Sequence, residues 1–313
     1  MLPNQINYTT NSNKSQQLNK ISQKMTSADK ARKIIAEAMS EIKCISPNAI
    51  NNVLNCGSII TLNESGQIIA ANFCKNKLCP ICAWRKSLKR YSENNQAFSF
   101  INDNFNKSYI FLTLTIQNVS DLKEGIDKLN EGFKRMSNTK KFKDISLGYY
   151  RNIEITFNDD TKKWHPHSHI IICVNKSYFK SSKYIKSKEW LKMWQEAARD
   201  ENISQVKVSA VKNKNGEVDV FAAVLEISKY MSKILQISKY NYSEAVKITK
   251  ELIESTYHKK MITTSGIIRD VLHNLGIKPE DENIIDENAD QTKITTYIWK
   301  NGGYQEYETF KQN

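Results

Sequence analysis

Three of the chain's five histidines fall within Trp164-His165-Pro166-His167-Ser168-His169, which runs into Ile170-Ile171-Ile172-Cys173-Val174. The apolar run is short, β-branched and closed by Asn175, the pattern of a buried strand. Residues two apart on a strand share a face. His165, His167 and His169 can therefore present their imidazoles together, while Pro166 leaves the pairing of the first residues open. Neutral imidazole is the commonest side-chain metal ligand. The competing reading is a polar strand entry whose histidines stand in water.

A second set of ligand-bearing residues lies upstream. Cys56 is followed by Cys74, Cys79, Pro80 and Cys82; Cys44 and Cys173 complete the six cysteines. Paired cysteines in tight turns suit a tetrahedral structural zinc site of the ribbon kind. Cys79 and Cys82 form the knuckle, Cys74 is the third ligand and Cys56 the fourth, with Cys44 as its substitute. Free buried thiols are the alternative. A C-P-x-C cluster in a long chain with no apolar leader argues for metal or thiol chemistry in a reducing cytoplasm, against a disulfide framework. Directly after it, Trp84-Arg85-Lys86-Ser87-Leu88-Lys89-Arg90-Tyr91 starts a helix. Its cations Arg85, Lys86, Lys89 and Arg90 are either backbone-phosphate contacts or a solvated face.

The third stretch is Val220 to Gln236. Val220, Val224, Ile227, Met231 and Ile234 make one apolar helical stripe. Glu226, Tyr230 and Lys233 follow at i, i+4 and i+7 on the neighbouring face, with Lys229 beside the tyrosine. A single tyrosine among fourteen is more often a packing residue than a nucleophile, so Tyr230 gains weight only from this company.

Several elements must position these residues. Tyr109 to Gln117 alternates Ile110, Leu112, Leu114 and Ile116 with Tyr109, Phe111, Thr113 and Thr115, which predicts a strand with one wholly apolar face. A helix follows over Val119–Met136, and Tyr149–Phe157 is a second strand. If that strand and the histidine strand form an antiparallel hairpin centred near Thr161, Glu154 lies opposite His167 to His169 and shares their face. Glu154 then either completes a carboxylate-plus-histidine site or is an ordinary surface residue. Lys188–Arg199 is an amphipathic helix with Trp190, Leu191, Trp194, Ala197 and Ala198 buried. Gln205–Val211 is a strand, and residues 212–216 are a turn.

The flanks are less informative. Residues 1–26 read as a disordered polar tail. Ser27 is placed to cap a helix over residues 28–43. Residues 244–275 read as helical, Pro279–Asp290 as an acidic flexible segment, and Ile294–Trp299 with Tyr304–Phe310 as a hairpin around Asn301-Gly302-Gly303. The predicted division is the tail, a cysteine segment with basic helix over 27–100, a central domain over 101–240, and a C-terminal helical region with hairpin over 241–313. The fold class is α+β, a central antiparallel sheet flanked by helices and preceded by a small zinc-binding segment.

Composition sets the outer bounds. The chain has 313 residues, is 40% hydrophobic and 25% charged, and carries a net charge of +13. It has enough apolar residues for a real core, and the positive balance favours nucleic acid over anionic membrane. No apolar run reaches the length of a membrane span. No G-x-x-x-x-G-K-[ST] loop is present, so nucleotide hydrolysis is not expected.

In order, the chain carries F-L-T-L-T, G-Y-Y-R-N-I-E-I-T, H-P-H-S-H and E-I-S-K-Y-M-S-K, with C-P-x-C and W-R-K-S-L-K upstream. This series resembles the rolling-circle replication initiators of small bacterial plasmids, single-tyrosine members of the HUH endonuclease superfamily, over roughly Cys56 to Lys233. The resemblance implies that His167 and His169 bind a divalent cation, Mg2+ or Mn2+, with Glu154 as third ligand. His165 is either a ligand or holds the loop. It implies Tyr230 as the nicking nucleophile and Glu226 serving the terminating hydrolysis; a tyrosine of pKa about 10 needs activation, by the metal or by nearby Lys229 or Lys233. The residue between the paired histidines is usually bulky and apolar; Ser168 departs from that pattern, weakening local packing while leaving both ligands in place. The implied activity is site-specific nicking and strand transfer at a plasmid origin that is single-stranded at the nick, with a host helicase and DNA polymerase as partners and no membrane. Rival readings are an HUH relaxase or transposase, and a non-catalytic zinc-dependent DNA-binding regulator.

Overall fold

The computed structural model describes residues 14–212, 218–228, 237, 239–279, 283–285 and 289–307. In chain order the elements are α1 (Lys14–Ser40), α2 (Pro47–Leu54), β1 (Ile59–Leu62), β2 (Ile68–Ala71), α3 (Pro80–Phe105), β3 (Lys107–Thr115), α4 (Leu122–Asn138) and α5 (Lys140–Lys143). They continue with β4 (Gly148–Asn158), β5 (Lys163–Asn175), α6 (Ser187–Ala198), β6 (Val206–Ala210), α7 (Phe221–Ser228), α8 (Tyr242–Thr256), β7 (Ile262–Ser265), α9 (Gly266–Asn274), β8 (Thr295–Lys300) and β9 (Gly303–Glu306). The class is α+β with antiparallel sheets flanked by helices, as the sequence predicts. The chain divides into two compact units, one from Arg90–Lys229 and Glu254–Glu280, the other from Asn4–Lys89, Tyr230–Ile253 and Asp281–Asn313.

The first unit is built on a five-stranded sheet in the order β6-β3-β5-β4-β7, with every neighbouring pair antiparallel. One face carries Ile110, Leu112, Leu114, Ile170, Ile172 and Val174, all 1% exposed or less. Each such side chain contributes about 1.5–3 kcal/mol on burial. α4 is set by Asp121, whose side chain accepts from Glu124 N at 3.0 Å, and by its buried Leu122, Ile126, Leu129, Phe133 and Met136. α6 brings in Trp190 and Trp194, and Trp194 Nε1 donates to Thr115 O at 2.6 Å. The opposite face packs Tyr150, Ile171 and Cys173 with Ala97, Phe98 and Ile101 of α3, Val224 and Ile227 of α7, and Ile268 and Leu272 of α9.

The second unit has a four-stranded antiparallel sheet, β2-β1-β8-β9. The C-terminal hairpin around Asn301 and Gly302 is present, and its strand β8 pairs with β1. Sequence reading did not anticipate β1 and β2. The hairpin therefore belongs with the cysteine segment, and residues 254–280 belong with the five-stranded unit, a different division from the predicted C-terminal region over 241–313.

Four further expectations are corrected. Residues 14–26 are helix, because Gln17, Ile21, Met25 and Ala28 form a buried stripe continuous with Ile35. Ser27 consequently lies inside α1, where its hydroxyl donates to Lys24 O. The span 244–275 is not one helix: β7 interrupts it and pairs along β4. The strand is admitted by a close approach in which a Cβ on Gly266 would lie 2.1 Å from Leu147 O. Ile284, inside the acidic segment read as flexible, is 1% exposed in the core of the second unit.

Candidate metal centres

The predicted hairpin exists, and its register decides the site. Glu154 pairs directly with His167 and Asn152 with His169. His169 in turn faces Thr113 on β3, and Thr113 faces Lys207 on β6. One sheet face thus carries a rung of Lys207, Thr113, His169 and Asn152, with Glu154 and His167 on the next. Pro166 causes no break because the continuous β3 pairing ends at His167, leaving Pro166 matched only to Ile155 of β4.

The ligand atoms of Glu154, His167 and His169 all lie within 4.8 Å of one another. The Nε2 atoms of His167 and His169 stand 3.1 and 3.0 Å from Glu154 Oε2. Burial opposes the Glu154 charge, but the hydrogen bonds to His167 and His169 outweigh it and hold the carboxyl well below the usual range. His167 Nδ1 is 3.3 Å from His165 O, an oxygen that can only accept. A neutral imidazole has one N–H; when Nδ1 carries it towards His165 O, Nε2 gives up its hydrogen bond to Glu154 and offers a lone pair to a metal instead. A cation among Nε2, Nε2 and carboxylate satisfies all three, and the donor set fits a divalent metal. His169 Nδ1 has Thr113 Oγ1 at 3.3 Å as its outer partner.

His165 is not in that set; its Nδ1 lies 2.9 Å from Asn118 Oδ1 in the loop after β3. Glu226 reaches the site from α7, its Oε1 3.6 Å from His169 Nε2. α7 starts where Asp219 Oδ1 accepts from Phe221 N at 3.0 Å, and it is held by Val224 and Ile227 in the core. Tyr230, Lys229 and Lys233 lie outside the described residues, as do Met231 and Ile234 of the predicted stripe. A cavity of about 490 Å³ opens over this face, lined by His167, His169 and Glu226 together with Phe111, Lys207 and Lys212. Sequence reading missed Lys207 and Lys212. The alternation of Gln205 to Val211 was the available signal, since it puts Lys207 and Ser209 on one face.

Ser168 points to the other face, fully buried. Arg151 Nε donates to its Oγ at 3.0 Å. The expected local weakening at this position is therefore offset by a charged hydrogen bond.

In the second unit Cys56, Cys74, Cys79 and Cys82 converge, with their sulfurs all within 4.8 Å of one another. Cys82 Sγ lies 3.5 Å from Cys56 Sγ and 3.6 Å from Cys74 Sγ. Four thiolates at about 2.3 Å around a tetrahedral zinc would stand roughly 3.8 Å apart, so the set fits that ion. Hydrogen bonding from Cys56 and Cys74 pulls the Cys79 thiol down, while the same cluster pushes Cys74 and Cys82 up. Cys44 is exposed and outside the group.

The basic stretch is corrected. Arg85, Lys86 and Arg90 are 3%, 4% and 9% exposed. Arg85 Nη2 donates to Ile284 O at 3.2 Å and Lys89 Nζ to Asn283 O at 2.7 Å. Arg85 and Lys89 satisfy backbone carbonyls, and with Arg85, Lys86 and Arg90 buried the stretch is not a solvated face.

Residues 65–307 match the family described as "Replication protein". A "Protein rep" from Bacillus sp is 32% identical over 269 residues, 77% of this chain and 86% of the relative. Another from Staphylococcus aureus is 34% identical over 197 residues, 60% of this chain and 84% of the relative. A third, from Streptococcus pneumoniae, is 29% identical over 262 residues, 80% of each. The chain belongs to the plasmid rolling-circle replication initiators. No solved structure matches the initiator at a significant level. No helix among its described residues is long and apolar enough to cross a membrane.

Proposed function

We propose that this initiator nicks one strand at the plasmid's double-strand origin and carries the new 5′ end as a phosphotyrosine on Tyr230. The observation that carries the reading is the convergence of Glu154, His167 and His169, with Glu226 reaching His169 from a separate helix. Glu154, His167 and His169 would hold Mg2+ or Mn2+, which when bound neutralises and orients the scissile phosphate. His165 supports the loop through Asn118. Lys207 and Lys212, on the cavity rim, offer positive charge to the flanking backbone phosphates of a single strand.

A free phenol ionises near pH 10, so Tyr230 needs help to lose its proton; Lys229 or Lys233, beside it in sequence, favours the phenolate. Attack forms the Tyr230 Oη–phosphorus bond and breaks the bond from phosphorus to O3′, which leaves as a hydroxyl after taking up a proton. That hydroxyl primes a host polymerase. With no nucleotide-binding loop in the chain, unwinding falls to a host helicase. Glu226, four residues before Tyr230, then activates water or a second hydroxyl for release. Cys56, Cys74, Cys79 and Cys82 would hold a structural zinc that ties α3 to the β1–β2 ribbon.

The test uses a labelled single-stranded origin oligonucleotide, with denatured protein inspected for attached DNA. Wild type should yield a covalent adduct and Tyr230→Phe none. An adduct that persists in Tyr230→Phe would move the nucleophile, with Tyr240 or Tyr242 next. Cleavage by wild type with no adduct would replace transesterification by metal-activated water.

A further inference from the structure

The sheet face opposite the histidines carries a second cavity, about 630 Å³, within the size range of small-ligand sites. Its lining includes Lys134 of α4, Lys143 of α5, Lys260 before β7 and Arg151 of β4, with no carboxylate among the described residues that line it. Lys134, Lys143 and Lys260 are exposed, whereas Arg151 is 2% exposed. The arrangement is a cationic rim over a buried guanidinium.

Among the described residues Arg151 has only neutral partners: Ser168 Oγ at 3.0 Å, Asn130 Oδ1 at 2.7 Å, and the Phe133 ring at 4.9 Å. Its Nη2 has no hydrogen-bond partner among the described residues, and neither does the hydroxyl of Thr263. Those two residues pair directly across β4 and β7, so both unsatisfied groups belong to one spot on the cavity wall. Burial pulls the guanidinium down to about 9, which leaves it charged at neutral pH. A buried charge without a counter-charge is costly, and a buried unpaired donor adds to that cost. Both are relieved by an oxyanion with several acceptor atoms, and a guanidinium matches phosphate geometry. Half-buried Tyr149 also lines the cavity beside the cations, an aromatic edge that suits a base attached to the phosphate.

We propose that this cavity is a second phosphate-binding site, taking the phosphate group of a nucleotide, on the face of the sheet away from the histidine–glutamate centre. The phosphate sits against Arg151 and Thr263, and the three lysines draw it in. Because Arg151 also holds Ser168, between His167 and His169, occupancy bears on the strand that carries those histidines. The site does not depend on Tyr230 chemistry.

The test is an NMR titration of the full-length, isotope-labelled chain, following the Arg151 Nε–H signal. The probes are inorganic phosphate, thymidine 5′-monophosphate and a short single-stranded oligothymidylate. The expected result is a saturable shift of that signal, with apparent Kd raised at least tenfold in Lys134→Ala/Lys143→Ala/Lys260→Ala. All three of those side chains are exposed, so the variant keeps its fold. Thr263→Val should weaken binding in the same assay. Tighter binding of the mononucleotide than of the oligonucleotide makes the source a free nucleotide; the reverse order makes it a strand phosphate. No shift at Arg151 with any probe, or an unchanged Kd in the triple variant, overturns the proposal.

Discussion

Ser168→Ala isolates the most consequential buried contact of the histidine strand. The hydroxyl is fully buried and accepts from Arg151 Nε at 3.0 Å. A hydrogen bond to a charged group contributes about 1.5–3 kcal/mol. Arg151 would keep Asn130 Oδ1 at 2.7 Å and the Phe133 ring at 4.9 Å, so the loss stays below the roughly 3–5 kcal/mol of a fully unpaired buried charge. The expected cost is about 2 kcal/mol, or roughly a 30-fold rise in the opening constant at 1.36 kcal/mol per decade. Native-state hydrogen exchange at the Ile170, Ile171 and Ile172 amides reads that opening for this sheet alone. A cycle with Arg151→Met should show coupling of about 1–2 kcal/mol between the positions, within the usual range for contacting residues. Exchange in Ser168→Ala within threefold of wild type would refute the assignment, as would a cycle additive to about 0.5 kcal/mol.

Other expectations follow from the two centres. His167→Ala or His169→Ala should lower nicking by roughly 100-fold or more, since metal charge stabilisation is worth several kcal/mol, while origin binding in a filter assay changes little. Glu226→Ala should leave the first adduct in place and slow its release, visible as adduct that accumulates with time. Purified protein should hold one zinc by elemental analysis, and Cys79→Ser should lose it together with the circular dichroism of the second unit; a zinc-free, folded and active wild type would exclude the cysteine site. Arg85→Ala should destabilise the chain by about 1–3 kcal/mol in urea through its lost backbone hydrogen bond, with no change in the salt dependence of DNA binding; a reduced salt slope would restore the phosphate-contact reading.

What was legible in the sequence tracked how local the signal was. The alternation at 109–117 and the apolar run at 170–174 placed β3 and β5 within a few residues, because period-two burial is written residue by residue. The short loop between β4 and β5 limits their register, so the sequence sets Glu154 opposite the span His167 to His169, and the structure narrows its partner to His167. β1, β2 and β7 were not legible. Each has only four residues, too few to show a period, and β1 is held partly by β8 from more than two hundred positions away. The helix of residues 14–26 was hidden by its polar composition, since only one narrow stripe is buried.

The misread cations show where sequence reasoning stops. A run such as Arg85-Lys86-Ser87-Leu88-Lys89-Arg90 reads as exposed because its charges are expensive to bury. Burial becomes acceptable only when a distant segment supplies acceptors, and here Asn283 and Ile284 do so with backbone oxygens. Arg151 poses the same problem from inside a strand. Within G-Y-Y-R-N-I-E-I-T it falls three residues before Glu154, and the alternation assigns the two to opposite faces. That parity alone separates a centre built on Glu154 from a cavity built on Arg151. Ser168, placed between two histidines, falls on the Arg151 face by the same rule, so the position that departs from the usual apolar residue is where the sheet's second face meets its first.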